Sequence, residues 1–262
     1  MLDEDRTDSL RLFLMALSRQ QKVTIISLVS YWLTLFILTH IPIPLFVREA
    51  GVSDKSLHLL AYLILVFLFW FAISPDKKVN WRRPAAWWVL FVIVAYGTLD
   101  EWLQSYVEGR SSDLMDFVAD LAGTLTGLIM FSFFTFWAAA LLVAGTVIFG
   151  LTNITRANLA DVMPTTNAMF HLFAYPIFTM LWVRYVQLFP SLRPPKPKWL
   201  ITTLAAPIGL LLTVKLFSAI LGKDFAVPDI IISVAGIVVV VATIYLAALF
   251  RKTQDIKDLD QV

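Results

Sequence analysis

The chain has 262 residues, 59% of them hydrophobic and 15% charged, where a soluble domain carries about a quarter charged residues. Mean hydropathy is +0.77, and the formal net charge of +2 says less than where the charges stand, so that no nucleic-acid partner is expected. With no cysteine, disulfides, thiolate metal sites and cysteine nucleophiles are excluded.

Apolar residues fall in long blocks without a 3.6- or 2-residue period, the pattern of helices surrounded by lipid. Residues 1–22 form an N-terminal segment that is acidic at its start and lacks the small-residue cleavage site of a signal peptide. Its LRLFLMAL stretch reads either as a short interfacial helix or as a frayed terminal one. A span needs about 20 mostly apolar residues. Such blocks occupy 23–41, 56–73, 85–104, 115–134, 136–153, 168–186, 199–220 and 228–249, followed by a polar tail over 251–262. FSFFTFWAAA offers no marked polar break between the fourth block and the fifth. One helix through 115–153 would be far too long for a single span, so a tight turn is expected near Phe133 to Trp137.

Lysines and arginines set the expected orientation. Fifteen lie in the N-terminal segment, the 74–84 loop, the 184–198 loop and the tail, all on one side of eight spans. The opposite loops hold five: Arg48, Lys55, Arg110, Arg156 and Lys223. By the positive-inside rule both termini are expected in the cytoplasm. Lys215 stands within the seventh span and is expected to snorkel.

SDKSLHLLAY at 53–62 is echoed by TNAMFHLFAY at 166–175, which aligns His58 with His171 and Tyr62 with Tyr175 at an offset of 113. The same offset aligns Ser105 with Ser218, Gly109-Arg110 with Gly222-Lys223, Asp116 with Asp229 and Gly123 with Gly236. Polar and glycine matches at one offset are informative, because apolar helices match by chance at Leu and Val. The chain therefore reads as an all-α, polytopic transmembrane bundle of two parallel four-helix repeats, 23–135 and 136–250. The second copy has lost polar groups: Asp54 becomes Asn167, Lys55 becomes Ala168, and Asp120 becomes Ser233. Asp100, Glu101 and Gln104 become Thr213, Val214 and Phe217.

The first copy therefore carries the candidate site. Asp54, His58 and Tyr62 share one face of the second span; Tyr96, Asp100 and Gln104 share one face of the third, with Glu101 beside them. Arg110 and Asp113 lie in the following loop, and Asp116, Asp120, Gly123 and Gly127 form a stripe on the fourth span. The glycines make a G-x-x-x-G pattern that brings backbones close, so the acids should face other helices. Ionisable groups in a membrane cost about 2.5–3.5 kcal/mol each at its centre, less near the edge. Such groups are either mutually paired or functional. Arg110 with Asp113 or Asp116 reads as a structural bridge, which Lys223 and Asp229 would repeat; Glu101, Asp100 and His58 read as candidates for binding or acid–base work.

The sequence D-K-x-x-H-x-x-x-Y (Asp54, Lys55, His58, Tyr62), then D-E-x-x-Q (Asp100, Glu101, Gln104), then the run through Gly109, Arg110, Asp113, Asp116 and Gly123 resembles the VanZ-like family of bacterial membrane proteins. The resemblance covers roughly residues 30 to 135. Asp120 stands where that family usually has Asn, and Glu108 where it commonly has Pro; the duplication departs from its usual single unit. The family's association is with resistance to the glycopeptide teicoplanin, and the resemblance supplies no reaction. It implies a multi-pass protein of the bacterial cytoplasmic membrane with its polar motif on the extracytoplasmic side. The expected function is binding or acting on an amphiphilic envelope ligand, with Lys55 and Arg110 holding an anionic group; enzyme status stays open. The alternative is an accessory subunit docked on other membrane proteins. Membrane lipids are expected partners, and neither cofactor nor metal is expected.

Overall fold

A computed structural model describes residues 17–41, 53–107, 113–153, 163–223 and 226–259. Among them every long element is a helix: α1 Arg19–Thr39, α2 Asp54–Ile73, α3 Pro84–Gln104, α4 Leu114–Phe133, α5 Phe136–Asn153, α6 Pro164–Val186, α7 Pro197–Ile220 and α8 Val227–Leu259, with a 3₁₀ turn at Pro190–Leu192. Each of the eight hydropathy blocks is a helix. All but α6 are long and apolar enough to cross a membrane, and the chain is a polytopic helical membrane protein. α6 has the length, with 23 residues, but Asn167, His171, Pro176 and Arg184 dilute its apolar character.

Helix ends follow local chemistry. Ser18 caps α1 by accepting from the Gln21 N–H at 3.1 Å, Asp113 caps α4 by accepting from the Met115 N–H at 2.9 Å, and prolines open α3, α6 and α7, where a missing N–H costs nothing. The featureless junction does break, since Phe134 adopts extended backbone and its N–H caps the Met130 carbonyl. Gly222, at φ +73°, ends α7 with the paired bonds of a Schellman turn, Lys223 N–H to Ser218 O and Gly222 N–H to Ala219 O, both 3.0 Å. The span expected over 228–249 lies within a longer helix. α8 runs on to Leu259, because RKTQDIKDL is too polar for a span yet favourable for a helix.

The described residues divide into two compact units, one holding 17–41 and 58–136, the other 53–57 and 137–259. In the first, α2 supplies most of the core: Leu63, Leu65, Val66 and Phe71 are each at most 2% exposed. Phe67 and Phe71 pack on Phe131 with ring centroids 5.8 and 5.4 Å apart. α4 lies directly on α2. A Cβ on Gly123 would collide with the Leu59 carbonyl oxygen, and one on Gly127 with Val66, so both glycines serve close backbone approach as the G-x-x-x-G pattern predicts. α1 joins through Tyr31, whose hydroxyl donates to the Ala61 carbonyl at 3.0 Å, while Val23, Ile26, Val29 and Leu33 stay more than half exposed as a lipid-facing stripe. In the second unit Tyr175, Val214 and Ile237 are fully buried together, and Trp199 is buried beside Val183, Val186 and Val241.

Candidate functional site

The first unit gathers its polar groups where α2, α3 and α4 meet. Asp100, Glu101 and Gln104 are buried on α3, Asp116 and Asp120 on α4, and His58 and Tyr62 on α2. The i, i+4 spacing of each set explains this, since one helical face carries every member toward the same neighbours. His58 Nδ1 and Asp120 Oδ1 share a hydrogen bond of 2.9 Å. Gly97 on α3 leaves room beside them; a Cβ there would sit 3.3 Å from both Asp120 Oδ2 and the Tyr62 hydroxyl.

Asp100 is fully invested in structure. Its Oδ1 accepts from the Thr39 hydroxyl at 3.0 Å and from the Tyr96 hydroxyl at 3.3 Å, and its Oδ2 accepts from the Gln104 amide at 2.7 Å. His40, at the end of α1, lies with Nδ1 3.7 Å from the same carboxylate. Thr39 and His40 are therefore part of the site's surroundings although the motif pattern did not single them out. Their signal is slight: two polar residues closing an apolar span.

Glu101 and Asp120 differ from Asp100. Glu101 Oε2 accepts from the Asp113 backbone N–H at 3.1 Å, but Glu101 Oε1 and Asp120 Oδ2 are buried with no hydrogen-bond partner, as is the Tyr62 hydroxyl. An orphaned acceptor of this kind costs about 1–3 kcal/mol, more when charged. One ligand atom from each of His58, Glu101 and Asp120 lies within 4.8 Å of the other two.

Asp54 and Lys55 are exposed on the first turn of α2 and fall in the other unit from His58. Asp113 serves locally, capping α4 and tying it to Glu101. Arg110 lies outside the described residues, together with its expected bridge.

The second unit repeats the pairing at the same offset of 113 with different chemistry. His171 Nδ1 and Ser233 Oγ are 2.9 Å apart, and Gly236 on α8 faces α6, its would-be Cβ 2.7 Å from Pro176 and 3.9 Å from the carbonyl oxygen of Leu172, the counterpart of Leu59. Lys215 does not snorkel. It is 7% exposed, and its Nζ donates at 3.0 Å to Asp229 Oδ2, a buried carboxylate within its reach. Asn167 donates to Asp229 Oδ1 at 2.7 Å. The expected Lys223–Asp229 bridge is thus replaced, and Lys223 donates to the Thr152 carbonyl at 2.8 Å.

The second unit also has a cavity of about 870 Å³ between the ends of α6 and α8. Arg184, Arg193, Arg251 and Lys252 rim it above apolar walls that include Val183 and Ile244.

Residues 10–135 match the family described as VanZ/LLP1, the stretch that contains α1 to α4 and every residue of the buried cluster. No curated protein and no solved structure matches the chain.

Proposed function

We propose that this VanZ-like membrane protein sits in the bacterial cytoplasmic membrane and receives the headgroup of an amphiphilic envelope molecule at the outer edge of its first unit. The observation that carries this reading is the pair of buried, unpartnered carboxylate oxygens, Glu101 Oε1 and Asp120 Oδ2. Both are acceptors, so they call for a ligand that brings donors or positive charge, such as hydroxyl, amide or ammonium groups. The His58–Asp120 hydrogen bond supplies a proton donor and acceptor beside them, which suits acid–base work on that ligand. Lys55 and Arg110 are the groups proposed for an anionic part of the same molecule. The second unit is a duplicated copy that has exchanged these acids for a lysine-centred cluster.

Mass spectrometry of lipids retained after purification in mild detergent tests the reading. The wild-type chain should retain an amphiphile that Glu101→Gln and His58→Ala lose at equal membrane yield. Equal retention by all three would contradict it. The cationic rim of the second-unit cavity takes anionic phospholipid headgroups in this account, by charge complementarity above an apolar wall. Replacing Arg251 and Lys252 with Gln should then lower retained phosphatidylglycerol, and an unchanged amount would remove that assignment.

A further inference from the structure

We infer that His58, Glu101 and Asp120 hold a divalent transition-metal cation inside the first unit, where no metal was expected. The three side chains come from three different helices, and one ligand atom of each lies within 4.8 Å of the others. Donors about 2.0–2.2 Å from a tetrahedral zinc ion lie about 3.4 Å from one another.

Burial argues for a cation. Glu101 is 7% and Asp120 2% exposed, and each keeps one oxygen without a partner. Two buried carboxylates need compensating charge, and a divalent ion would match both and satisfy both orphaned oxygens at once.

The second unit supplies an internal comparison. At the positions of Glu101 and Asp120 it has Val214 and Ser233, and its histidine cluster contains a built-in cation, the buried Lys215 ammonium on Asp229. The first-unit position equivalent to Lys215 is Trp102, which is 57% exposed and brings no charge. At those two positions the second cluster thus has no carboxylate, and its Asp229, the counterpart of Asp116, sits on its own ammonium. The other has two carboxylates, each with an oxygen unsatisfied, around a histidine.

One imidazole and two carboxylates, with no thiolate, suit zinc or manganese better than copper(I) or an iron–sulfur cluster. Three protein ligands leave a coordination position open. On the headgroup reading above, an oxygen of the ligand would take it; metal binding itself does not depend on that reading.

Zinc titration by calorimetry tests the inference, on the full chain purified without a histidine tag and stripped with chelator. The wild-type chain should bind one zinc ion in this unit. Asp120→Ser, which installs the residue the second unit already pairs with histidine, and Glu101→Gln should each weaken binding by more than about tenfold, the least that loss of an outer-shell group causes. His171→Ala should leave it unchanged. Zinc should also raise the thermal midpoint of the wild type and not of Glu101→Gln, which separates lost ligation from lost folding. No zinc binding by a monodisperse wild-type chain, or equal binding by Glu101→Gln/Asp120→Ser, overturns the inference. Lipid retention by the stripped chain is read separately: an amphiphile retained without zinc binding would sink the metal alone, and zinc bound without any amphiphile would sink the headgroup reading alone.

Discussion

His58 Nδ1 lies 2.9 Å from Asp120 Oδ1, and 113 residues further along the chain His171 Nδ1 lies 2.9 Å from Ser233 Oγ. The geometry of the pairing is the same and its charge is not. In the second unit a hydroxyl suffices to hold the imidazole.

This separates two substitutions at one position. Asp120→Ala leaves the buried imidazole without its partner and should cost about 1–3 kcal/mol. Asp120→Ser keeps a partner and removes a buried charge, and should cost less than about 1 kcal/mol. Thermal unfolding in detergent compares the two. Equal losses would mean that the carboxylate itself holds the fold.

Gly123 and Gly209 form a second contrast. A Cβ on Gly123 meets the Leu59 carbonyl, whereas one on Gly209 meets nothing within 4 Å. Gly123→Ala should therefore destabilise the first unit by about 1–3 kcal/mol through overpacking. Gly209→Ala should be tolerated. The fraction of monodisperse protein on size exclusion after mild heating reports the difference, and equal tolerance would contradict the close α2–α4 approach.

Lys215 tests the second unit. Lys215→Met strands the buried Asp229 carboxylate and should cost about 3–5 kcal/mol, as breaking a buried pair does. Adding Asp229→Asn should recover most of the loss. A wild-type midpoint for Lys215→Met would instead indicate a lysine that reaches the interface.

Orientation is testable directly because the chain has no cysteine. Tyr106 follows α3 at the end near the polar cluster and is 73% exposed; Lys78 is exposed in the loop before α3. In intact cells a membrane-impermeant maleimide should label Tyr106→Cys, and Lys78→Cys only after permeabilisation. The reverse pattern would place the cluster on the cytoplasmic side.

Much of the fold was legible because hydropathy marks spans. The turn at Phe134 followed from the length limit on a span and from the charge segregation that eight spans preserve. The buried acids were legible from their i, i+4 spacing and from the glycine stripe beside them. What escaped depends on contacts between helices. Lys215 lies 14 residues from Asp229, and nothing in its own span shows which way it turns. Thr39 reaches Asp100 across 61 residues without any periodic partner. The run of α8 to Leu259 escaped because hydropathy reports where a span ends, not where a helix does.

The central claim, that the buried cluster of the first unit is a ligand site, is tested most directly by an electron cryomicroscopy map of the wild-type chain in lipid nanodiscs. Non-protein density is expected between α2, α3 and α4, against Glu101 Oε1 and Asp120 Oδ2, and is expected to be absent from the Glu101→Gln/Asp120→Ser variant. Side chains packed against one another there, with no such density in the wild type at a resolution that shows ordered lipid elsewhere, would contradict it.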